Sequence, residues 1–356
     1  LLDWRWLFFI NIPVGVLVIF LVGRYANFDK GDPSLSRGID WWGLGLMAVF
    51  LLSLQYVLEE GNGDGWFEDD VILWLSVTAA LAGAAFVWRQ LVYWQPIVSL
   101  KPFRDSNFAL GVAMTFVTGV SMFGGTFLMP LYLGRVRGFS SSEVGTTMLV
   151  TGATMFLTAP LIGRMVRYLD ARVALVGGFA MSGWAMQLAV HITAQWGFAE
   201  FFVLQAVRGV SMMLAMVAAQ QLSVATLPLQ QMKDASGLIN LTRNVAGALG
   251  LAMLSTILSH QGAVHFMDVA SAASQANPAS SEMMTGLTQM MSEGGMADPD
   301  GTARKAMSMM MHRDAAVLSF GDAFAALAIS SWLAAGLGLF ARPGSAMARD
   351  DAPGGH

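Results

Sequence analysis

Nine apolar runs divide this chain, each about as long as a bilayer's hydrocarbon core is thick, and they leave few folds open to it. They run roughly Trp6–Val22, Trp41–Leu58, Val71–Trp88, Phe108–Leu133, Val144–Ile162, Val173–Val190, Phe201–Leu227, Gly237–Leu258 and Ala323–Phe340. A helix needs about 20 apolar residues to cross about 30 Å of hydrocarbon. No water is available there to bond the backbone, so each run is expected to be a helix rather than an open strand. The expected class is an all-α polytopic membrane protein with nine transmembrane helices. Only 12% of residues are charged, about half the share usual in soluble domains.

The ends and the loops set further expectations. The chain opens on Leu1, and no positively charged segment with a cleavage site precedes the first run, so that run is not a signal peptide. The chain is expected to be an N-terminally truncated fragment that begins at the outer edge of a helix. There are no cysteines, which excludes disulfides and thiolate metal sites, and no basic block suggests nucleic acid. The 25 methionines suit adaptable apolar surfaces, or simple core and lipid-facing filling.

Basic residues fall unevenly between the two sets of loops. One set holds 12: Arg24, Lys30, Arg37, Arg89, Lys101, Arg104, Arg164, Arg167, Arg172, Lys233, Arg342 and Arg349. The other holds six: Arg5, Arg135, Arg137, Arg304, Lys305 and Arg313. By the positive-inside rule the first set is cytoplasmic. The amino end is then periplasmic, and the carboxyl tail is cytoplasmic.

The spans group as one, two and six. Residues 1–23 hold the first helix, 24–40 a cytoplasmic linker, and 41–88 a two-helix hairpin with an acidic outer turn, Glu59–Asp70. A second cytoplasmic linker, 89–107, carries Pro96 and Pro102. Residues 108–341 hold six spans and a long outer loop, 259–318, in which Ser281–Met291 and Thr302–Met311 read as short amphipathic helices outside the membrane. Residues 342–356 form a Pro-, Gly- and Asp-rich cytoplasmic tail. Transporters are often built from six-helix halves. The six spans then make a second half, Trp6–Val22 the last helix of a first half, and the hairpin an insertion between them.

Several segments carry a family likeness. They are Trp4-Arg5-Trp6-Leu7-Phe8-Phe9-Ile10-Asn11-Ile12-Pro13-Val14-Gly15; Asp40-Trp41-Trp42-Gly43 through Leu58-Glu59-Glu60-Gly61 and Trp66; Pro96-Ile97-Val98-Ser99-Leu100-Lys101-Pro102-Phe103 with Asn107-Phe108; and Asn240-Leu241-Thr242-Arg243-Asn244 with Gly247 and Gly250. In order and spacing the chain resembles the fourteen-helix drug:proton antiporters of the major facilitator superfamily, the EmrB/QacA type, nearest the EmrB branch. The resemblance implies a bacterial inner-membrane exporter of amphipathic drugs and multidrug resistance by proton antiport. It also implies a periplasmic adaptor protein and an outer-membrane channel as partners, and no cofactor. The second-half loop departs from the family pattern. Gly163-Arg164, Arg167, Asp170 and Arg172 lack the usual acidic residue four positions after the glycine.

Polar residues inside spans are costly and mark candidate sites. Arg243 lies about 10 Å into the eighth run, on one helical face with Asn240, Asn244 and Gly247. It either serves the site or snorkels to the headgroups. Arg208 and Gln205, with Gln220 and Gln221 further in, are candidates for a substrate cavity or for interhelical bonds. Gly163, Arg164, Asp170 and Arg172 are gating candidates. Gly124, Gly125 and Pro130 are candidate helix breaks in the fourth run, or close packing points. No Asp or Glu lies deep in any run, and Glu200 and Asp322 sit at outer ends, so the coupling carboxylate that the family implies is expected outside this chain. His260 and His265 form a weak metal-spacing pair, and no metal site is expected. GxSxG and HExxH are absent. Export of a dedicated metabolite or siderophore and a non-transporting membrane scaffold remain alternatives; the lack of a catalytic constellation argues against an enzyme.

Overall fold

The computed structural model describes residues 5–25, 38, 40–228, 231–273 and 278–341. The described residues form eleven α-helices: α1 (Trp6–Phe9), α2 (Asn11–Tyr25), α3 (Trp41–Glu60), α4 (Asp70–Val92), α5 (Ser106–Arg135), α6 (Ser141–Tyr168), α7 (Ala171–Val190), α8 (Phe198–Val224), α9 (Met232–Ala272), α10 (Pro278–Glu293) and α11 (Pro299–Gly338). The polar gaps between the apolar runs supply the caps. Asp40, Asp69, Asp105 and Asp170 accept from first-turn amides of α3, α4, α5 and α7. Ser140 and Glu143 form a capping box at α6, and Asp298 accepts from Gly301 N at the start of α11.

Two expectations are corrected. Among the described residues eight helices, not nine, are long and apolar enough to cross a membrane. The first run is divided at Ile10, and its larger piece, α2, has 15 residues and buries none of them. The long outer loop is mostly helix. α9 has 41 residues and α11 has 40, about 60 Å each, so both continue well past the apolar runs that define their spans. Ser281–Met291 falls within α10, but Thr302–Met311 is the first part of α11 and not a separate helix. Apolar periodicity ends at the membrane edge, whereas α9 and α11 keep bonding their backbones and pack on each other beyond it. The pair His265 Nε2 and Asp322 Oδ2, 2.8 Å apart, and Gln261 Nε2 donating to Asp322 Oδ2 at 3.1 Å join the two helices there. A methionine-rich cleft of about 500 Å³, with Met283, Met307, Met310 and Met311 in its walls, separates α10 from the two rods.

The helices α5–α9 and α11 pack into one bundle, with α5 against α8, α9 and α11. At one end Leu128, Tyr132, Phe201, Phe324 and Leu327 form one core, and the Tyr132 hydroxyl donates to Thr193 O at 2.7 Å. At the other end Met114, Leu175, Phe179, Leu214 and Leu222 form another. Lipid is as apolar as these side chains, so close backbone approach and buried hydroxyls must contribute to helix association. A Cβ on Gly178 would lie 2.7 Å from Ala215 N, and one on Gly119 would lie 2.7 Å from Arg243 O. Ser331 links α11 to Ser121 of α5 and Ser182 of α7 at 3.4 Å each.

The hairpin α3–α4 is pinned at both ends. Arg89 Nε donates to the buried Asp40 Oδ1 at 2.7 Å. At the other end Ser259 Oγ of α9 donates to Asn62 Oδ1 at 2.8 Å, beside a small core of Leu58, Ala248 and Ala252.

Candidate functional site

Arg208 is the eleventh residue of the 27-residue helix α8, about 15 Å from its amino end and so near the middle of a helix long enough to span. Its side chain is only 2% exposed. Nη1 donates to Gln205 Oε1 at 3.2 Å, one turn back on the same helix, and Nη2 donates to Thr126 Oγ1 of α5 at 3.3 Å. Nε is buried without a partner. Gln205, fully buried, is tied in turn to α6: Thr151 Oγ1 donates to its Oε1 at 3.0 Å, and its Nε2 meets Met148 Sδ at 3.1 Å. One charge thus joins three helices.

The local sequence of α5 makes room for it. A Cβ on Gly125 would stand 2.7 Å from Arg208 Nη2 and 2.8 Å from Nε and Cζ, so the guanidinium lies against bare backbone. Thr126 returns its own hydroxyl proton to Met122 O at 2.7 Å. Pro130 has no amide hydrogen, so the Thr126 carbonyl loses its helical donor at this level. Gly124, Gly125 and Pro130 are candidates for a helix break or for close packing; α5 runs from Ser106 to Arg135 with Pro130 inside it. Gly124 admits Leu254 and Leu327, and Gly125 admits Arg208.

The other candidates lie apart from this cluster. Arg243 is half-buried on α9, with Nε unpartnered, and its backbone presses on Gly119. Asn240 is exposed and bonds back to Ser236 O at 3.1 Å. Asn244 is exposed and lines a groove of about 290 Å³ between α9 and α3, opposite Gln55. Gln220 is exposed and Gln221 half-buried, about 18 Å further along α8 than Arg208. Gly163 is half-buried and Arg164 exposed at the end of α6, while Asp170 caps α7 by accepting from Arg172 N at 3.0 Å. No ion pair among the described residues joins Asp170 to Arg164 or Arg172. His265 faces Asp322, not His260.

Sequence reasoning did not name Thr126, Thr151 or Met148. A signal for Thr126 was present: a Gly-Gly-Thr run followed by proline, in a span that must accommodate a neighbour's arginine.

The fold and the cluster can now be set beside known proteins. The family model described as Major Facilitator Superfamily matches residues 1–251. This chain belongs to the major facilitator superfamily. It is similar to the Colistin resistance protein EmrB of Acinetobacter baumannii, 31% identical over 338 residues, covering 95% of this chain and 66% of that protein. The Multidrug export protein EmrB of Escherichia coli is 27% identical over 307 residues, covering 83% of this chain and 59% of that protein. The Multidrug resistance protein Stp of Mycobacterium tuberculosis is 28% identical over 259 residues, covering 72% and 47%. The chain therefore spans about two thirds of the length of these relatives, or less. These matches agree with the EmrB branch of the drug:proton antiporters, and a multi-pass membrane transporter family accounts for the helices long enough to span.

Proposed function

We propose that the protein exports amphipathic compounds outward across the bacterial inner membrane in exchange for protons. The observation that supports this best is the buried Arg208–Gln205–Thr126–Thr151 cluster near the midplane of a major facilitator bundle. Transporter sites are expected at that depth, formed where helices meet. The names of the relatives, multidrug export and colistin resistance, point the same way. In this reading residues 1–23 are the last helix of a first half, 41–88 an inserted hairpin and 108–341 the second half. In the same reading, which the charge asymmetry supports, the α9–α10–α11 projection is periplasmic and offers a surface to an adaptor protein joined to an outer-membrane channel. The coupling carboxylate lies in the part of the relatives' length that this chain does not span. Arg243, fixed to α5 through Gly119, and the Gly163–Arg172 turn act in gating.

Growth of an efflux-deficient strain in amphipathic drugs, with and without the full-length gene, tests the reading. Raised resistance that vanishes when the proton gradient is collapsed is expected; unchanged resistance to every compound contradicts it. In the same assay Arg243→Ala should lose most resistance at equal protein level, and Arg243→Lys should recover part, since lysine keeps charge but loses the planar fork. Wild-type resistance in the alanine variant removes Arg243 from the gate.

A further inference from the structure

We propose that Arg208 is the receptor for the carboxylate headgroup of an amphipathic substrate, which reaches it past Thr126. This rests on the export reading above and names the substrate class of the same site.

The first ground is charge. Among the described residues the ion pair is Arg89–Asp40, with a His265–Asp322 contact that is charged only when the imidazole is protonated, and neither involves Arg208. A guanidinium sealed at mid-membrane without a counter-charge is expensive, and such a residue points to a functional partner. The second ground is geometry. Both Arg208 hydrogen bonds go to neutral oxygens, at 3.2 and 3.3 Å. Guanidinium–carboxylate bonds close to about 2.7–2.9 Å, so these contacts are long for an arginine at rest with its best acceptor. Nε has no partner at all. Nε and Nη2 present two donors on one edge, which suits the two oxygens of a carboxylate.

The third ground is access. Arg208, Gln205, Gly125 and Thr151 are all buried, and Thr126 is the exposed member of the cluster. Its hydroxyl accepts from Arg208 while donating to Met122 O at 2.7 Å. A carboxylate oxygen that replaces it at Nη2 therefore leaves the threonine hydroxyl still bonded. The missing side chain of Gly125 lets the guanidinium lie on the α5 backbone next to Thr126. Along the same helix Phe116 is exposed, and Phe127 and Phe123, whose ring lies against Gly247 of α9, are half-buried. In this proposal the hydrocarbon or aromatic tail of the substrate lies along this apolar side of α5.

Equilibrium binding to the purified full-length protein tests the proposal, using a dansyl-labelled long-chain carboxylic acid and its primary amide at neutral pH. The wild type should bind the acid about tenfold to a hundredfold more tightly than the amide, the range of a bond to a charged group. Arg208→Gln should bring that ratio close to one, and Arg208→Lys should keep part of it. Equal binding of acid and amide by the wild type overturns the proposal without any variant, as does a wild type that binds neither. An unchanged ratio in a folded Arg208→Gln protein overturns it too. Binding is read without a proton gradient, so this preference and the export reading fail separately.

Discussion

The side chain on which most depends is one that is missing. Gly125 lets the Arg208 guanidinium lie on α5, and a methyl group there would have to displace it. Gly125→Ala is expected to cost about 1–3 kcal/mol, the range for overpacking, and to abolish transport by the full-length protein. Gly134 sits on the same helix with nothing within 4 Å of its would-be Cβ, so Gly134→Ala should stay within about 0.5 kcal/mol of wild type. Thermal unfolding of the two variants in detergent checks the contrast; equal midpoints would contradict the packing. At this scale the sequence was only partly legible. It singled out both intramembrane arginines and gave Arg243 the sharper signal, because a polar stripe repeats along α9. It could not show that Arg208 meets a glycine 83 residues earlier, since that contact exists only once α5 and α8 pack.

Among the elements, the helices that span were legible from length and apolarity, but sequence reasoning did not name the Asp and Ser residues that cap their starts. The continuation of α9 and α11 past their apolar runs was not legible either. Their outer turns are held by mutual packing and by His265, Gln261 and Asp322, and these leave no periodic apolar trace. The hairpin α3–α4 is likewise tied to α9 by a contact 197 residues apart in sequence, Ser259 to Asn62. Because the chain has no cysteine, this contact can be tested on a clean background. Asn62→Cys with Ser259→Cys should form a disulfide under mild oxidation, read as lost maleimide labelling that returns on reduction. Full labelling after oxidation would show that the hairpin does not rest on α9. Both positions should also react with an impermeant thiol reagent added from outside the cell, as the basic-residue asymmetry requires.

At the scale of the whole molecule, a major facilitator bundle supplies the frame, and the cluster across α5, α6 and α8 supplies its polar interior. Alternating access needs two bundles rocking about a shared site, and this chain spans about two thirds or less of its relatives' length. Vectorial transport is therefore expected of the full-length protein, with Arg208 in the shared site. The most direct measurement uses full-length protein reconstituted in liposomes, with an imposed proton gradient and a fluorescent amphipathic substrate. The gradient should drive substrate accumulation, and substrate added alone should drive proton movement in the opposite sense. Substrate movement that is indifferent to the gradient, or no movement by protein shown to be folded, would contradict proton-coupled export.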